Sequence, residues 1–337
     1  MRLVTALWLA IAAALCSACG TASPPPTDRT ASPEAPMDSG GTPGGGTTQT
    51  GSSTDLDGSS PGSGTTSSAI PDAAGGSGGA DGGLPNSDAA PGDGGLQPFK
   101  GVANSACNDL ARLGVAWWYN WTQAASGCTS SQFVPMIWGH TGNEQSAAGI
   151  ASAIANLVRG GYRTVLGFNE PDNSSQSSIS VTSAISLWPS FNDPSMRLGS
   201  PATQGNSAGL TWIKNFMSQV DADTSGKLRV DFIATHWYGW NAGSCDAKAA
   251  NLESWIKGIE AIPGNRPIWV TEWGCLNKSN PDPQTVQAFF SGAVAMFAKH
   301  PRIERYAWYP WTTNNELVDG GALTSLGTVF AAEPAYK

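Results

Sequence analysis

Between Phe99 and Trp311 the sequence alternates eight short apolar or aromatic runs with longer stretches of helical period. That alternation leaves few folds open. The runs are Phe99–Ala103, Gly114–Asn120, Phe133–Trp138, Thr164–Asn169, Arg197–Pro201, Asp231–Tyr238, Pro267–Trp273 and Arg305–Trp311. Between them, Ala147, Ile150, Ile154, Leu157 and Val158 share one helical face, and Gly160-Gly161 ends that helix. Leu210, Ile213, Phe216, Met217 and Val220 make a second stripe, and Leu252, Trp255, Ile256 and Ile259 a third. Asp282-Pro283 reads as an N-cap followed by a first-turn proline, opening a helix that carries Val286, Phe289, Phe290, Ala293, Val294 and Phe297. Strand–helix alternation implies a mostly parallel sheet, and eight units in about 240 residues fit an α/β (β/α)8 TIM barrel. A doubly wound sheet is the alternative, but no GxGxxG follows a strand. The least regular parts are the first strand, the Ser-rich crossover 173–196, and the connection 121–132, which is too short for a full helix.

The front of the chain cannot join that fold. From Gly20 to Gly95 there is no aromatic residue, and the stretch is mostly Gly, Ser, Thr, Pro, Ala and scattered acids, too little apolar surface to offset chain entropy. The expected division is a lipoprotein-type signal over 1–18, a low-complexity linker over 19–95 and a catalytic domain over 96–337. As a random coil the linker spans roughly 50 Å. Charge divides the same way. Residues 20–95 hold nine acids against Arg29, and 96–337 hold 17 acids against 16 bases, so the net charge of −8 is effectively the linker's. A near-neutral domain argues against nucleic acid as a partner and suggests an uncharged ligand.

Met1-Arg2 is a short positive segment, and Leu3 to Leu15 an apolar run too short to span a bilayer. Cys16-Ser17-Ala18-Cys19-Gly20 resembles the lipobox of bacterial lipoproteins, with Cys19 the acylated position. An ordinary secretory signal cleaved near Ala18 is the alternative, and both readings export the protein. Four further cysteines, Cys107, Cys128, Cys245 and Cys275, suggest disulfides in an exported domain. Of the three possible pairings, Cys107–Cys128 with Cys245–Cys275 is favoured, because each pair flanks neighbouring elements of the layout. There is no CxxC, and His140, His236 and His300 are far apart, so no metal or cofactor is expected.

In such a barrel catalytic side chains sit at the C-terminal ends of strands. The fourth run ends Asn169-Glu170-Pro171-Asp172 and the seventh Thr271-Glu272-Trp273-Gly274. Two carboxylates on nonadjacent strands can face each other across the mouth. Glycosidic cleavage needs that pair: one protonated acid for the leaving oxygen, one ionised nucleophile or base. Pro171 stiffens the turn holding Glu170, Asn169 offers an uncharged donor for a sugar hydroxyl, and a hydrogen bond from Tyr238 would keep Glu272 ionised.

Asn169-Glu170-Pro171 and Thr271-Glu272-Trp273-Gly274 resemble the acid/base and nucleophile motifs of clan A glycoside hydrolases. Trp118-Tyr119-Asn120-Trp121, Phe133-Val134-Pro135-Met136-Ile137-Trp138, Leu166-Gly167-Phe168-Asn169-Glu170-Pro171, His236-Trp237-Tyr238 and Ala307-Trp308-Tyr309 are similar to glycoside hydrolase family 128. The resemblance covers nearly all of 99–337 and implies a retaining endo-β-1,3-glucanase, with Glu170 as acid/base and Glu272 as nucleophile. It also implies that His236 and Tyr238, which share strand parity, point into the cleft.

Indoles at strand ends can stack on the C–H faces of sugars. Trp118, Trp138, Trp308 and Trp311 are candidates, with Asn120 and Trp273 added to the same binding set. Trp188, Trp212 and Trp255 fall on predicted helices and read as packing. Trp269 has the opposite parity from Glu272 and is expected to face the helices. His140 is a rim candidate, and His300 reads as structural. The expected partner is a β-glucan polysaccharide or oligosaccharide, bound by a monomer that meets a membrane only through its lipid. The two glutamate motifs do not separate β-1,3-glucan from mannan, xylan or mixed-linkage glucan. A non-catalytic carbohydrate-binding lipoprotein would use the same barrel.

Overall fold

The computed structural model describes residues 98–139, 142–278, 281–309 and 313–335. The predicted signal, Cys19, the linker, His140 and Trp311 lie outside the described residues.

Eight parallel strands follow the predicted runs. They are β1 (Phe99–Ala103), β2 (Trp117–Tyr119), β3 (Gln132–Phe133), β4 (Thr164–Val165), β5 (Arg197–Leu198), β6 (Ile233–Tyr238), β7 (Ile268–Gly274) and β8 (Ile303–Trp308). Six form one sheet in the order β3-β2-β1-β8-β7-β6, and β4 pairs with β5. Parallel bridges join the two sets on both sides: Met136 with Leu166 between β3 and β4, and Gly199 with Phe232 and Thr203 with Thr235 between β5 and β6. Hydrogen-bonded neighbours therefore run round all eight strands, as in a (β/α)8 barrel.

The helices are α1 (Cys107–Leu113), α2 (Ala147–Arg159), α3 (Val181–Leu187), α4 (Ser207–Ala222), α5 (Ala250–Glu260), α6 (Pro283–Phe297) and α7 (Ser325–Ala332). A small antiparallel hairpin of β9 (Val318–Asp319) and β10 (Ala322–Leu323) precedes α7. Side-chain caps start most of these helices: Ser146 accepts from Gly149 N, Asn206 from Gly209 N, and Asp282 from Thr285 N with Pro283 behind it. Residues 120–131 between β2 and β3 hold only turns, which matches their shortness. The Ser-rich crossover does form α3, followed by a tight turn of helix over Trp188–Phe191.

The core has two layers. Apolar helix faces pack on outward strand residues in one large cluster, which includes Trp188, Trp212 and Trp255. A second cluster fills the ring itself: Ala103, Trp117, Tyr119, Val134, Met136, Leu166, Phe232, Trp269 and Ala307, all on strands or their ends. Phe232 stacks on Trp269 at 4.0 Å, and Trp117 meets Trp269 at 5.1 Å. Burying each such ring contributes about 1.5–3 kcal/mol. Arg305 lies under this layer, its guanidinium 4.4 Å from the Trp269 ring, and Arg197 sits over Phe232 while pairing with Glu304. Two glycines make room: a Cβ at Gly101 would lie 2.4 Å from Trp117 Nε1, and one at Gly199 2.5 Å from the Phe232 ring.

Trp269 corrects the expectation drawn from parity. It faces the ring interior, as Glu272 does, although three positions separate them. The register explains it: Thr235 pairs with Val270 but His236 pairs with Glu272, so Thr271 is an extra residue. This β-bulge inverts the in–out alternation beyond it. Ile268, Val270 and Trp273 consequently pack among the helices, and Trp269 and Glu272 face inward.

Both favoured disulfides are present, Cys107–Cys128 and Cys245–Cys275. The first ties α1 to the β2–β3 connection, and the second ties the β6–α5 loop to the end of β7. Gly199→Ala overpacks the ring interior and should lower stability by about 1–3 kcal/mol. A thermal unfolding midpoint unchanged from that of the parent would show that the inner layer has slack.

Candidate active site

Three strand ends converge on one spot. Glu170 lies just past β4, where Asn169 bridges Ala202 and the Glu170 N–H donates to Ala202 O at 2.8 Å. Its φ is 41°, in the left-handed region, an uncommon place for a long side chain. Such a conformation costs on the order of 1–3 kcal/mol and persists only where the surroundings over-determine it. Here Pro171 fixes the next residue and Asn173 N–H closes the turn onto Glu170 O at 3.0 Å. Asp172 ties the same turn to the next loop by accepting from Gln204 N at 3.2 Å. Burial pushes the Asp172 carboxyl up to about 6, partly countered by that Gln204 bond.

His236 on β6 is fully buried between the two glutamates. Its Nδ1 lies 3.1 Å from Glu170 Oε1, and its Nε2 lies 3.5 Å from Glu272 Oε1. Asn173 Nδ2 donates to the other Glu170 oxygen at 3.2 Å. Glu272 accepts three hydrogen bonds: from Tyr119 OH at 3.0 Å and Trp121 Nε1 at 2.7 Å to Oε1, and from Tyr238 OH at 2.6 Å to Oε2. All three donors are uncharged, so both oxygens act as acceptors, the pattern an ionised carboxylate makes.

The electrostatics follow from this packing. Burial raises Tyr119 and Tyr238 well above the ordinary phenol value, and the charge of Glu272 raises them further, so both stay donors. For His236 burial favours the neutral ring, but the Glu272 charge and the Glu170 hydrogen bond outweigh it, and its pKa rises. One atom each from Glu170, His236 and Glu272 lie within 4.8 Å of one another, a spacing a cation could also use. Oε1 of Glu272, however, already receives two donors. An ion held through Oε1 would have to displace them, whereas Oε2 carries one such donor.

Residues 97–330 match the family described as "Glycosyl hydrolase catalytic core". An endo-β-1,3-glucanase of glycoside hydrolase family 128, subgroup I, from Amycolatopsis mediterranei, solved as a variant with laminarihexaose, is 32% identical. The match covers 69% of this chain and 98% of that one, with a TM-score of 0.59. The chain belongs to glycoside hydrolase family 128. A curdlan-specific exo-β-1,3-glucanase of subgroup III from Blastomyces gilchristii, solved with glucose, is 30% identical over 70% of this chain and 98% of that one, TM-score 0.56. Alkali-sensitive linkage protein 1 of Schizosaccharomyces pombe is 30% identical over 255 residues, 70% of this chain and 44% of that protein. The chain thus spans less than half the length of that curated relative. As a family member this chain is a glycoside hydrolase.

Against that family frame, the structure brings together Glu170, Glu272, His236 and Tyr238. Asn169 is buried beside them, its amide donating to Gln176 Oε1 at 3.2 Å. Trp138 is half-buried and packs on the inner layer together with Trp121 and Tyr309. The other candidates are elsewhere. Trp118 points outward and packs on Phe133, because Tyr119 takes the inward place on β2. Trp273 is fully buried among Phe289, Phe290 and Phe297, turned out by the bulge. Trp308 is buried against Trp273 and donates to Asn315 O at 2.9 Å. Asn120 is used in its own turn, accepting from Thr122 and donating to Ala124 O. His300 is structural, with Nδ1 3.0 Å from Glu260 Oε1.

Sequence reasoning missed Tyr119, Trp121 and Asn173 as partners of the glutamates. Parity within Trp117-Trp118-Tyr119 was the available signal for the first. Raised His236 implies a testable sign. Its stabilising contribution is fully present below its ordinary value of 6.5 and is lost as pH rises through the higher folded value. Unfolding midpoints of the parent should therefore fall across and above that region more steeply than those of His236→Gln. Parallel curves would remove the imidazolium from this account.

Proposed function

We propose that the chain is an exported retaining β-1,3-glucan hydrolase that works by double displacement. The observation that carries this reading is the spacing of its carboxylates. Oxygens of Glu170 and Glu272 approach within 4.8 Å. Direct attack by a carboxylate uses about 5–5.5 Å, whereas inverting sites leave about 6.5–9.5 Å for a water. Glu170 gives its proton to the leaving oxygen while Glu272 attacks the anomeric carbon, and Glu170 then takes a proton from the incoming water. His236 and Asn173 hold Glu170 in place, and Tyr238 steadies Glu272. The laminari-oligosaccharide complexes of the relatives support a β-1,3-glucan substrate, and the near-neutral domain suits an uncharged polymer.

Export is supported by two formed disulfides, which persist in oxidising compartments, together with the signal-like start of the sequence. In this reading Cys19 is acylated and residues 20–95 tether the barrel to a membrane.

Glu170→Gln and Glu272→Gln should each lower laminarin hydrolysis by at least ~10²-fold. Products of the parent should keep the anomeric configuration, as read by NMR during early turnover. An inverted product would contradict the nucleophile role of Glu272. Full activity in both variants would remove the assignment altogether. Separately, Cys19→Ser should abolish incorporation of labelled fatty acid in a bacterial host. Undiminished labelling would place the lipid elsewhere.

A further inference from the structure

Trp121 sits in the left-handed region, with φ 61°, although it is a bulky residue. Its turn is braced on both sides. Asn120 Oδ1 accepts from Thr122 N at 3.2 Å and Thr122 Oγ1 at 2.9 Å, and Met136 N donates to Thr122 O at 3.0 Å from beyond β3. The ring rests edge-on against Tyr309 at 5.0 Å and Tyr119 at 5.7 Å. What this forced geometry delivers is one N–H, 2.7 Å from Glu272 Oε1.

Donors are divided unequally between the two oxygens of Glu272. Oε1 accepts from Tyr119 and Trp121 and has His236 Nε2 at 3.5 Å. Among the described residues, Oε2 accepts from Tyr238 alone. An oxygen whose lone pairs already serve two donors is the poorer nucleophile.

We propose that Glu272 attacks through Oε2, and that Trp121 is a positioning residue that holds Oε1 as the spectator oxygen and speeds release of the sugar from the covalent intermediate. The inference rests on the double-displacement reading above. In the first step an Oε2 lone pair forms the bond to the anomeric carbon. The bond from that carbon to the leaving oxygen breaks, and Glu170 supplies the proton to it. Oε1 becomes an ester carbonyl oxygen and loses negative charge, so the hydrogen bonds from Trp121 and Tyr119 weaken. In the second step water attacks the anomeric carbon and Glu170 takes its proton. The carbon–Oε2 electron pair returns to the carboxylate, and charge reappears on Oε1. The two donors therefore stabilise this transition state relative to the ester. Removing one slows the second step and leaves the first no slower.

Trp121→Phe keeps an aromatic ring and deletes the N–H. On an aryl β-1,3-glucoside with a good leaving group, kcat should fall about tenfold or more, as loss of a hydrogen bond to a charged group implies. KM should fall by the same factor, so that kcat/KM holds. Rapid mixing should show a burst of phenol release close to one per enzyme, and intact-mass measurement should show the glycosyl-enzyme. Tyr119→Phe, which removes the other Oε1 donor, should split kcat and KM in the same sense. A fall in kcat/KM with no trapped ester would assign Trp121 to packing and overturn the proposal, as would an unchanged kcat. Glu272→Gln separates the two levels. Full activity there means the double-displacement reading has failed, whereas an inactive Glu272→Gln beside an unaltered Trp121→Phe sinks only the role of Trp121.

Discussion

A buried imidazole between two glutamates is the contact on which the mouth of this barrel depends. Two carboxylates this close repel each other, and burial strengthens the repulsion. His236 reaches both, with 3.1 Å to one and 3.5 Å to the other, and although burial lowers its pKa, the Glu272 charge and the Glu170 hydrogen bond raise it more. The remaining partners are neutral donors drawn from several strands: Tyr119 at the end of β2, Trp121 just beyond it and Tyr238 at the end of β6. Displacing Tyr238 would take from Oε2 its donor, and displacing Tyr119 or Trp121 would leave Oε1 with one donor in a nearly dry place. The closed ring of strands is what holds such distant pieces of sequence in register.

Most of the scaffold could be read in the sequence, because strand and helix periods are local. Asp282-Pro283 announces α6, and the short 121–132 connection does hold no helix. The two glutamates were legible for a similar reason: strand ends in a barrel all open toward one face. The aromatics were harder. Trp118, Trp273 and Trp308 look like sugar platforms because they stand at strand ends, but facing is decided by parity, and parity by register. Trp118 yields the inward place to Tyr119. Trp273 is turned outward by an insertion that no residue type signals.

Trp121 and Asn120 show the limit from the other side. Their roles depend on a left-handed backbone turn and on a carboxylate about 150 positions away in sequence, a separation that only closure of the barrel bridges. Asn120 looks like a ligand for hydroxyl groups and is instead the brace for its neighbour. Among the described residues, the polar side chains that matter most to the glutamates come from three different strand ends, so no single stretch of sequence reveals the set.

The extra residue at Thr271 has a consequence for how this strand can vary. On β7 two alternations are joined out of phase, one that seats Trp269 on the barrel floor and one that aims Glu272 at the opening. Loss of Thr271 would simply close the bulge: Val270 would still pair with Thr235 and Glu272 with His236, and both Trp269 and Glu272 would still face inward. The extra residue therefore acts through the local bend and twist it gives the strand beneath Glu272, and not through which way that carboxylate faces.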